Sequence, residues 1–359
     1  MGAAVHVVDP LADPRWDGLL ARHPRASVFH TRGWLDALKR TYGYEPFALT
    51  TTSEGALENG LALCRVKTPF ARRLVSLPFS DHCDPLVDRP EDVSAMLGFL
   101  KAQQERERWR SVELRPRQAA WGLAAEAPAA GGDGARPSWP AESARYVHHA
   151  LDLARPAEQV FAGFHPSHTQ RAVRRAEREG LTYEAGNSEP LVSAFYGLLR
   201  LTRRRHGLPP QPRAWFRNLA TSLGDQLAVH LASKDGQPIA AILTLGFKRT
   251  IVYKYGASDA AFHRLGAMPF LFWRAIQDAR SKGIIEMDLG RSDLGQPGLA
   301  AFKDHLGAER AALAYCAWPV RRARPPQPGA LSRLARSVVP LLPDAVLDWS
   351  GRMLYRHLG

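Results

Sequence analysis

Hydrophobic and polar residues change period along the chain, and these changes mark its predicted elements. Residues 250–255 are dense in β-branched and aromatic side chains, which predicts a strand. Apolar residues then recur at the i, i+4, i+7 spacing of a helix over 270–282, and Gly283 is placed to end it. A short strand over 284–289 follows. We therefore expect two parallel neighbouring strands joined by a crossover helix.

The same order of elements occurs in both halves of the chain. Hairpin, strand, helix and strand follow one another over 47–153 and again over 226–318, with the first crossover helix beginning at Pro90. The turn of the first hairpin is predicted around Glu54 and Gly55. The fold class expected from this repetition is α/β, with tandem domains of similar architecture.

The predicted domain boundaries follow from these halves and from two shifts in composition. An N-terminal lobe covers 1–153, a C-terminal lobe covers 154–320, and a basic amphipathic tail covers 321–359. The first lobe contains an Ala-, Gly- and Pro-rich segment over 117–144, which predicts a flexible insertion. The tail is either an interfacial helix at a membrane surface or a helix docked on the second lobe, and docking is the preferred interpretation.

Charge and composition narrow the classes of partner. The 359 residues carry 48 Lys+Arg against 35 Asp+Glu, a formal net charge of +13, which favours anionic substrates or tRNA. The three cysteines lack CxxC spacing, so we predict reduced thiols and no metal site. No signal peptide and no apolar run long enough to span a membrane is recognised, which predicts a cytoplasmic protein. No helix-turn-helix or zinc motif indicates sequence-specific DNA binding.

The turn before the second crossover helix is a candidate anion site. Arg264 and Gly266 precede a helix that starts near Pro269, so a cation and free backbone N–H groups meet there and would hold an anionic donor substrate. The alternative is a plain turn into a buried helix. On the preceding strand, Lys254 and Tyr255 are adjacent and point to opposite sides, so at most one of them faces the donor.

Four short motifs, in this order, resemble the FemAB-type family of tandem GCN5-related N-acyltransferases (GNAT). They are Phe29-His-Thr-Arg-Gly-Trp34-Leu, Arg73-Leu-Val-Ser-Leu-Pro78-Phe79, Arg171-Ala-Val-Arg174-Arg175-Ala176-Glu-Arg-Glu-Gly180, and Asp288-Leu-Gly290-Arg291-Ser292 followed by Phe302-Lys303. The resemblance implies tandem GNAT-like domains whose mixed sheets are flanked by helices.

The resemblance also implies an activity, the transfer of an acyl or aminoacyl group onto an amine of a cell-envelope polysaccharide or peptidoglycan precursor. Its relatives include enzymes of peptidoglycan cross-bridges and proteins of exopolysaccharide operons. Two donors stay open. The segment 263–268 departs from the acetyl-CoA loop in its first and last residues, and the sequence has no coiled-coil arm for tRNA. Acyl-CoA and aminoacyl-tRNA are therefore both candidates.

Three candidate residues follow from the last motif. Lys303 occupies the position where FemAB-like proteins place a substrate-binding lysine, and Arg291 and Ser292 belong to the matching motif upstream. A lysine there would bind a phosphate or the oxyanion of acyl transfer. The alternative is a helix-surface lysine beside Asp304.

The loop after the strand 74–77 carries the candidate base. Asp81 or His82 would deprotonate the acceptor amine, whereas a nucleophilic Cys83 is a second interpretation. A loop stabilised only by local turns is the structural alternative, and it is slightly favoured.

Arginines dominate one face of the helix predicted over 167–179. Arg171 and Arg174 lead this face, which would bind tRNA or a pyrophosphate-linked, lipid-linked saccharide precursor. A solvated face paired with neighbouring glutamates is the alternative. Ser167 and Gln170 predict a capping box at the start of the helix.

The sequence therefore predicts a cytoplasmic N-acyltransferase, with the inner face of the membrane as a peripheral site of action. The rival class is a non-catalytic scaffold of degenerate GNAT fold in exopolysaccharide assembly. A chain that binds envelope precursors but shows no transfer would favour the scaffold.

Overall fold

The computed structural model describes residues 4–68, 71–117, 141–319, 339 and 342–358. The chain forms two compact units. Unit 1 comprises Met1–Tyr146, Ala312–Arg324 and Arg356–Gly359, and unit 2 comprises Val147–Ala311 and Pro325–Tyr355. Most of the predicted insertion and the first part of the predicted tail lie outside the described residues.

Among the described residues, unit 1 contains five whole strands, parts of two more, and three whole α-helices. The strands are β1 (His6–Val8), β2 (Glu45–Thr50), β3 (Leu61–Thr68), β4 (Ala71–Val75) and β5 (Ser111–Leu114), and the helices are α1 (Arg15–Arg22), α2 (Arg32–Tyr42) and α3 (Pro90–Glu107). The order is β1-β2-β3-β4-β5, with β12 (Glu309–Trp318) beside β5. All neighbouring pairs are antiparallel except β4 and β5, which are parallel.

The predicted hairpin and the predicted start of the crossover helix are both present in unit 1. The hairpin forms from β2 and β3, with Leu49 opposite Leu61. Helix α3 begins at Pro90, whose fixed φ suits a first helical position, and it buries Val93 and Met96 against the sheet. The hairpin and crossover predictions for the first half are confirmed.

Unit 2 contains the remaining strands and helices. The strands are β6 (Ala141–Asp152), β7 (Thr182–Gly186), β8 (Leu227–Lys234), β9 (Gln237–Phe247), β10 (Thr250–Ser258) and β11 (Glu286–Asp293). The helices are α4 (Ala157–Ala162), α5 (Arg171–Arg178), α6 (Glu189–Arg205), α7 (Arg213–Leu223), α8 (Ala267–Ser281), α9 (Pro297–His305) and α10 (Asp344–Leu358). Strands β6 and β12 each carry residues of both units.

The predicted strand–helix–strand segment is the centre of unit 2. The strand order is β6-β11-β10-β9-β8-β7, antiparallel from β7 to β10 and parallel between β10 and β11. Helix α8 connects the parallel pair and buries Phe272, Ile276 and Ala279 at the predicted spacing. The predicted parallel crossover is confirmed.

One local prediction is wrong. Ser167 and Gln170 do not form a capping box, because the chain makes a π-helical turn over Pro166–Gln170 before α5 begins. Gln170 Nε2 instead donates to the carbonyl of Phe164 at 2.8 Å. The amide side chain thus satisfies a carbonyl after α4 rather than an N–H of its own helix.

Helix α10 packs on unit 2 through its polar and apolar residues together. Asp344 pairs with Arg204 at 2.8 Å, and the hydroxyl of Tyr196 donates to Asp348 at 2.8 Å. Leu347 is buried, whereas Trp349 on the outer face is 61% exposed. Among the described residues, no helix is long and apolar enough to cross a bilayer.

Candidate functional site

The parallel strands β10 and β11 separate part-way along their length. Their register pairs Thr250 with Glu286 and ends where Val252 meets Asp288, yet β10 continues to Ser258 and β11 continues to Asp293. Two strands that continue beyond their last paired residues diverge, and their backbone groups become available to other partners. The carboxyl-terminal parts of β10 and β11 are therefore not paired with each other beyond Val252 and Asp288.

A β-bulge interrupts β10 where the two strands diverge. The pairing with β9 shifts between Tyr253 and Tyr255, so Lys254 is the extra residue. The Lys254 ammonium lies 5.7 Å from the centre of the Tyr255 ring, so the expected alternation of these adjacent side chains is interrupted. Tyr255 is buried, and its hydroxyl accepts a hydrogen bond from Trp215 Nε1 at 2.9 Å. Tyr255 thus serves packing, and Lys254 stands at the bulge.

Tyr253, which precedes the bulge, directs its phenol along β10. Its ring packs edge-on against Phe272, with centroids 4.8 Å apart. A Cβ added at Gly256 would lie 2.2 Å from the Tyr253 hydroxyl oxygen, so a side chain at this position would displace the phenol. Burial raises the pKa of Tyr253 to about 12. The hydroxyl therefore stays protonated at neutral pH and is a hydrogen-bond donor.

Asp288 shapes the backbone of β11 at the end of the ladder. Its Oδ1 accepts a hydrogen bond from the backbone N–H of Gly290 at 2.7 Å and lies 2.9 Å from His148 Nε2. Gly290 has φ +68°, a left-handed conformation that glycine adopts without strain. Asp288 and His148 are both almost fully buried. This turn sets the direction of the carbonyls of Gly290 and Arg291.

Lys303 is the buried cation of the site. It lies on α9, its side chain is 2% exposed, and its Nζ donates to the carbonyls of Gly290 at 3.1 Å and Arg291 at 2.9 Å. A buried ammonium is costly unless hydrogen bonds compensate for its lost hydration, and these two carbonyls do so. The alternative of a surface lysine is wrong. Arg291 contributes a backbone carbonyl here and has a half-buried side chain.

Two further polar side chains belong to this neighbourhood of unit 2. Ser292 is 1% exposed, and its Oγ has no hydrogen-bond partner among the residues that the structure describes. His149 lies on β6, 3.4 Å from Asp304. Burial, and then the charge of Lys303, lowers the pKa of His149. The Ser292 Oγ and the two ring nitrogens of His149 are therefore buried polar atoms without a hydrogen-bond partner in the described part of the chain.

The start of α8 is formed by glycine rather than by a capping side chain. Gly266 has φ +79°, and a Cβ on it would lie 2.4 Å from the carbonyl oxygen of Ala172 on α5. The N–H groups of Ala267 and Met268 have no acceptor within the helix, and no acidic residue lies in its first turn. The close approach of α5 thus gives Gly266 a packing role in addition to the predicted one.

The predicted cations around this helix start lie on the surface of unit 2. Arg264 is exposed on a 3₁₀ turn over Ala260–Leu265, and its carbonyl accepts a hydrogen bond from Arg175 Nη1 at 3.0 Å. On α5, Arg171 is exposed and Arg174 lies 5.8 Å from the centre of the Phe161 ring. Arg171, Arg174 and Arg264 are thus exposed arginines of this region of unit 2.

The candidate bases lie in unit 1, in the loop after β4. Asp81 is half-buried, and its carbonyl accepts a hydrogen bond from the Tyr315 hydroxyl at 2.6 Å. His82 is buried and packs edge-on against Phe29, with centroids 5.7 Å apart. Burial raises the pKa of the Cys83 thiol. This shift disfavours Cys83 as a nucleophile.

Comparison with known protein families finds a match for the part of the chain that contains Lys303. Residues 167–304 match a family model described as an acetyltransferase (GNAT) domain. This segment includes β10, α8, β11 and most of α9. This part of the chain is therefore similar to GNAT acetyltransferase domains.

The relatives agree with the FemAB-like assignment. The UDP-N-acetylmuramoylpentapeptide-lysine N(6)-alanyltransferase of Weissella viridescens is 26% identical over 114 residues. That alignment covers 31% of this chain and 34% of the relative. The crystal structure of FemX matches with a TM-score of 0.64 and 14% identity, over 83% of this chain and 94% of FemX. The resemblance to FemAB-like proteins with a GNAT fold is confirmed.

A second solved structure confirms the tandem architecture. A tandem GNAT protein from the clavulanic acid biosynthesis pathway matches with a TM-score of 0.50 and 11% identity, over 90% of this chain and 100% of that protein. Such low identities show the fold alone. The predicted mixed α/β fold with tandem GNAT domains is confirmed.

Three residues of unit 2 were not singled out by the sequence prediction. Asp288 occurs in the last family motif, but its role in shaping the Gly290 turn needs the structure. His148 lies in β6, a strand that also carries several other polar residues, so its burial could not be read from the sequence pattern. Tyr253 gave no signal, because an aromatic residue in a strand is ordinary.

Proposed function

We propose that the chain is an acyl- or aminoacyltransferase that moves an acyl group onto an amine of a cell-envelope polysaccharide or peptidoglycan precursor. The observation that carries the proposal is the buried Lys303 ammonium, held beside Gly290 and Arg291 on β11 within the GNAT domain. A fixed positive charge in a water-poor site stabilises an oxyanion far more than one in water does.

The proposed reaction is nucleophilic acyl transfer. The acceptor amine attacks the carbonyl carbon of the donor, a C–N bond forms, and the carbonyl oxygen takes up negative charge opposite Lys303. Collapse of this intermediate breaks the C–S bond of an acyl-CoA or the C–O bond of an aminoacyl-tRNA. The amine loses a proton to a base, for which Asp81 and His82 remain the proposed candidates. The leaving thiolate or hydroxyl oxygen takes up a proton.

The proposed donor site extends from the β10 bulge to the start of α8. Its supports are the N–H groups of Ala267 and Met268 and the absence of acidic residues from the first turn of α8. Arg264 adds an exposed positive charge for the donor phosphates. Lys254 at the bulge and the protonated Tyr253 hydroxyl supply further donors for the reacting end.

The proposed acceptor is an anionic, nucleotide-linked or lipid-linked precursor handled on the cytoplasmic side of the membrane. The Weissella relative is named for transfer of alanine to a lysine N(6) of UDP-N-acetylmuramoylpentapeptide. A free amine beside phosphates suits the charge of this chain, because Arg171 and Arg174 lie exposed on α5. Ser292 and Arg291 complete the proposed contacts.

The decisive test replaces Lys303 by methionine, which keeps the aliphatic stem and removes the charge. With the pentapeptide precursor as acceptor, we expect transfer to fall by about 10²–10³, the usual loss when one oxyanion donor is removed. Lys101→Ala, on the exposed face of α3, is the matched control and should retain full activity. A melting curve establishes that each variant is folded. Unchanged transfer by folded Lys303→Met would contradict the assignment.

The donor is resolved by isothermal titration of the full chain with acetyl-CoA and with charged tRNA. We expect one of the two to bind, and the binding donor then enters the transfer assay. If a donor and the precursor both bind but no product forms under any condition, the chain is a scaffold and the proposal fails.

A further inference from the structure

Three histidines meet in unit 2, outside the acyl-transfer site. His165 and His168 belong to the π-helical turn region before α5, and His305 is the last residue of α9. Their ring centroids lie 4.6–4.7 Å apart, and one nitrogen of each ring lies within 4.8 Å of the other two. Three imidazoles so close together form a potential ligand set.

The backbone already holds these rings together. The N–H of His165 donates to the carbonyl of His305 at 2.8 Å, and the Thr169 hydroxyl donates to the same carbonyl at 2.8 Å. A ligand set that the fold assembles in advance loses little conformational freedom on binding an ion. The π-helical turn contains His168 and directly follows His165. Such turns are rare, and they are frequent at functional sites.

One ring nitrogen of the cluster is buried without a hydrogen-bond partner among the described residues. His165 Nδ1 is buried and has no hydrogen-bond partner within the described part of the chain, although buried polar groups are generally paired. Burial, together with the neighbouring His165 and His168, lowers the pKa of His305. The unprotonated His305 ring, the form that binds metal ions, is therefore favoured at neutral pH.

We propose that His165, His168 and His305 form a binding site for one divalent transition-metal ion, with Zn²⁺ as the representative ion. Imidazole nitrogens suit zinc, cobalt, nickel and copper, whereas magnesium and calcium prefer oxygen ligands. Three protein ligands leave a fourth position for water.

Binding requires a small rearrangement. Zinc–nitrogen bonds of about 2.0–2.1 Å in a tetrahedral site bring ligand nitrogens to roughly 3.4 Å from one another. His168 is exposed and stacks on His305 with an interplanar angle of 5°, so its ring must turn out of this stack. The bound ion would tie the end of α9, which carries Lys303 two residues earlier, to the turn before α5.

The test uses the full chain after treatment with a chelator. Titration with Co²⁺ should produce the visible absorption bands of a tetrahedral site at one ion per chain, and Zn²⁺ should displace the cobalt and raise the melting temperature. His168→Ala should weaken Zn²⁺ affinity at least tenfold, because even the loss of an outer partner of a metal ligand costs about 10–100-fold. His305→Gln should weaken it similarly.

The matched control is His6→Ala, which removes an exposed histidine from β1 in unit 1 and should leave affinity unchanged. Because His168 is exposed, its variant should keep the fold, and circular dichroism verifies this. Absence of cobalt bands in the wild-type chain would overturn the proposal. Equal zinc affinity of wild type and folded His168→Ala would also overturn it, since the ion would then bind elsewhere.

Discussion

The two units contain the same parallel crossover, but they treat its open end differently. In unit 1, β4 ends at Val75, the last residue it pairs with β5, and the chain beyond keeps its hydrogen bonds: the N–H of Ser76 donates to the carbonyl of Glu113 at 2.8 Å. In unit 2, β10 and β11 both continue well past the pair of Val252 and Asp288. Of the two crossovers, the second is the one in which both strands continue well beyond their shared ladder.

The crossover helices also begin differently. Helix α3 has two acidic residues in its first turn, and one of them, Asp92, is buried against Arg89 Nε at 2.9 Å and the Thr51 hydroxyl at 3.0 Å. Helix α8 has none, and it begins from Gly266. Carboxylates in a first turn neutralise the positive helix end, so α3 satisfies its own dipole whereas α8 leaves it for an anion.

These two differences are the reason why the donor site is proposed in unit 2 and not in unit 1. A closed ladder with an internally neutralised helix provides stability, whereas a diverging ladder with an open helix start provides a place for a charged substrate. The match to the acetyltransferase family lies over residues 167–304, which contain the open crossover. If this interpretation is correct, the two units differ in function because of the unpaired strand ends and the uncapped α8 start, and not because of their strand order.

The largest expected effect concerns the tight start of α8. Gly266→Ala places a Cβ against the backbone of Ala172, so α5 must shift in addition to the strain of a positive φ. We expect the free energy of unfolding to fall by about 3 kcal/mol, from about 1–2 for the left-handed backbone and a similar amount for the overlap. Urea denaturation measures it.

Gly180→Ala is the matched control for that prediction. Gly180 also has a positive φ, of +66°, but nothing lies within 4 Å of the added Cβ. We therefore expect it to lose only about 1 kcal/mol, the strain alone. Equal losses for the two variants would show that the approach of α5 to Gly266 is not tight.

A pair of buried serines should respond in opposite ways in the two units. Ser76 Oγ accepts the backbone N–H of Arg115 at 2.9 Å, so Ser76→Ala leaves a donor unsatisfied and should cost about 1–3 kcal/mol of stability. Ser292 Oγ has no partner among the described residues, so Ser292→Ala should leave stability nearly unchanged.

Substrate binding should reverse that order. Ser292→Ala is expected to weaken binding of donor or acceptor by roughly two- to tenfold, the net value of about one hydrogen bond, whereas Ser76→Ala should leave it unchanged. Urea denaturation and calorimetry on both variants separate the two effects. A stability loss in Ser292→Ala as large as in Ser76→Ala would remove the distinction between an open and a closed crossover.

The sequence sufficed for those parts of the fold that local chemistry specifies. Pro90 fixed the start of α3, and the apolar spacing around Ile276 specified α8, because both signals act within a few residues. The divergence of β10 and β11 was not predictable, since ladder length depends on contacts distant in sequence. The same limit applies to the π-helical turn over Pro166–Gln170, where a longer-range bond to Phe164 prevailed over a capping pattern.

In the candidate site, too, some residues were predictable from the sequence, whereas their contacts were not. Lys303 was predictable from a family motif, but its burial and its bonds to Gly290 and Arg291 required the turn that Asp288 forms. Tyr255 was predicted as a donor-binding residue from its position on the strand. Tyr255 is instead buried in the core, next to the bulge at Lys254. A bulge has no reliable signature in a single sequence.

The smallest expected effect concerns the charge beside the open helix start. Arg264→Ala removes an exposed cation and should weaken donor binding about two- to fivefold, because an exposed ion pair contributes about 0.2–1 kcal/mol. Arg217→Ala, which removes an exposed arginine from α7, should not change donor affinity, and neither should Glu91→Gln at the start of α3. Titration of the binding donor at low and high salt measures both affinity and its screening. If Arg264→Ala binds as wild type does at low salt, the anion is held by the N–H groups of α8 alone or lies elsewhere on the basic surface.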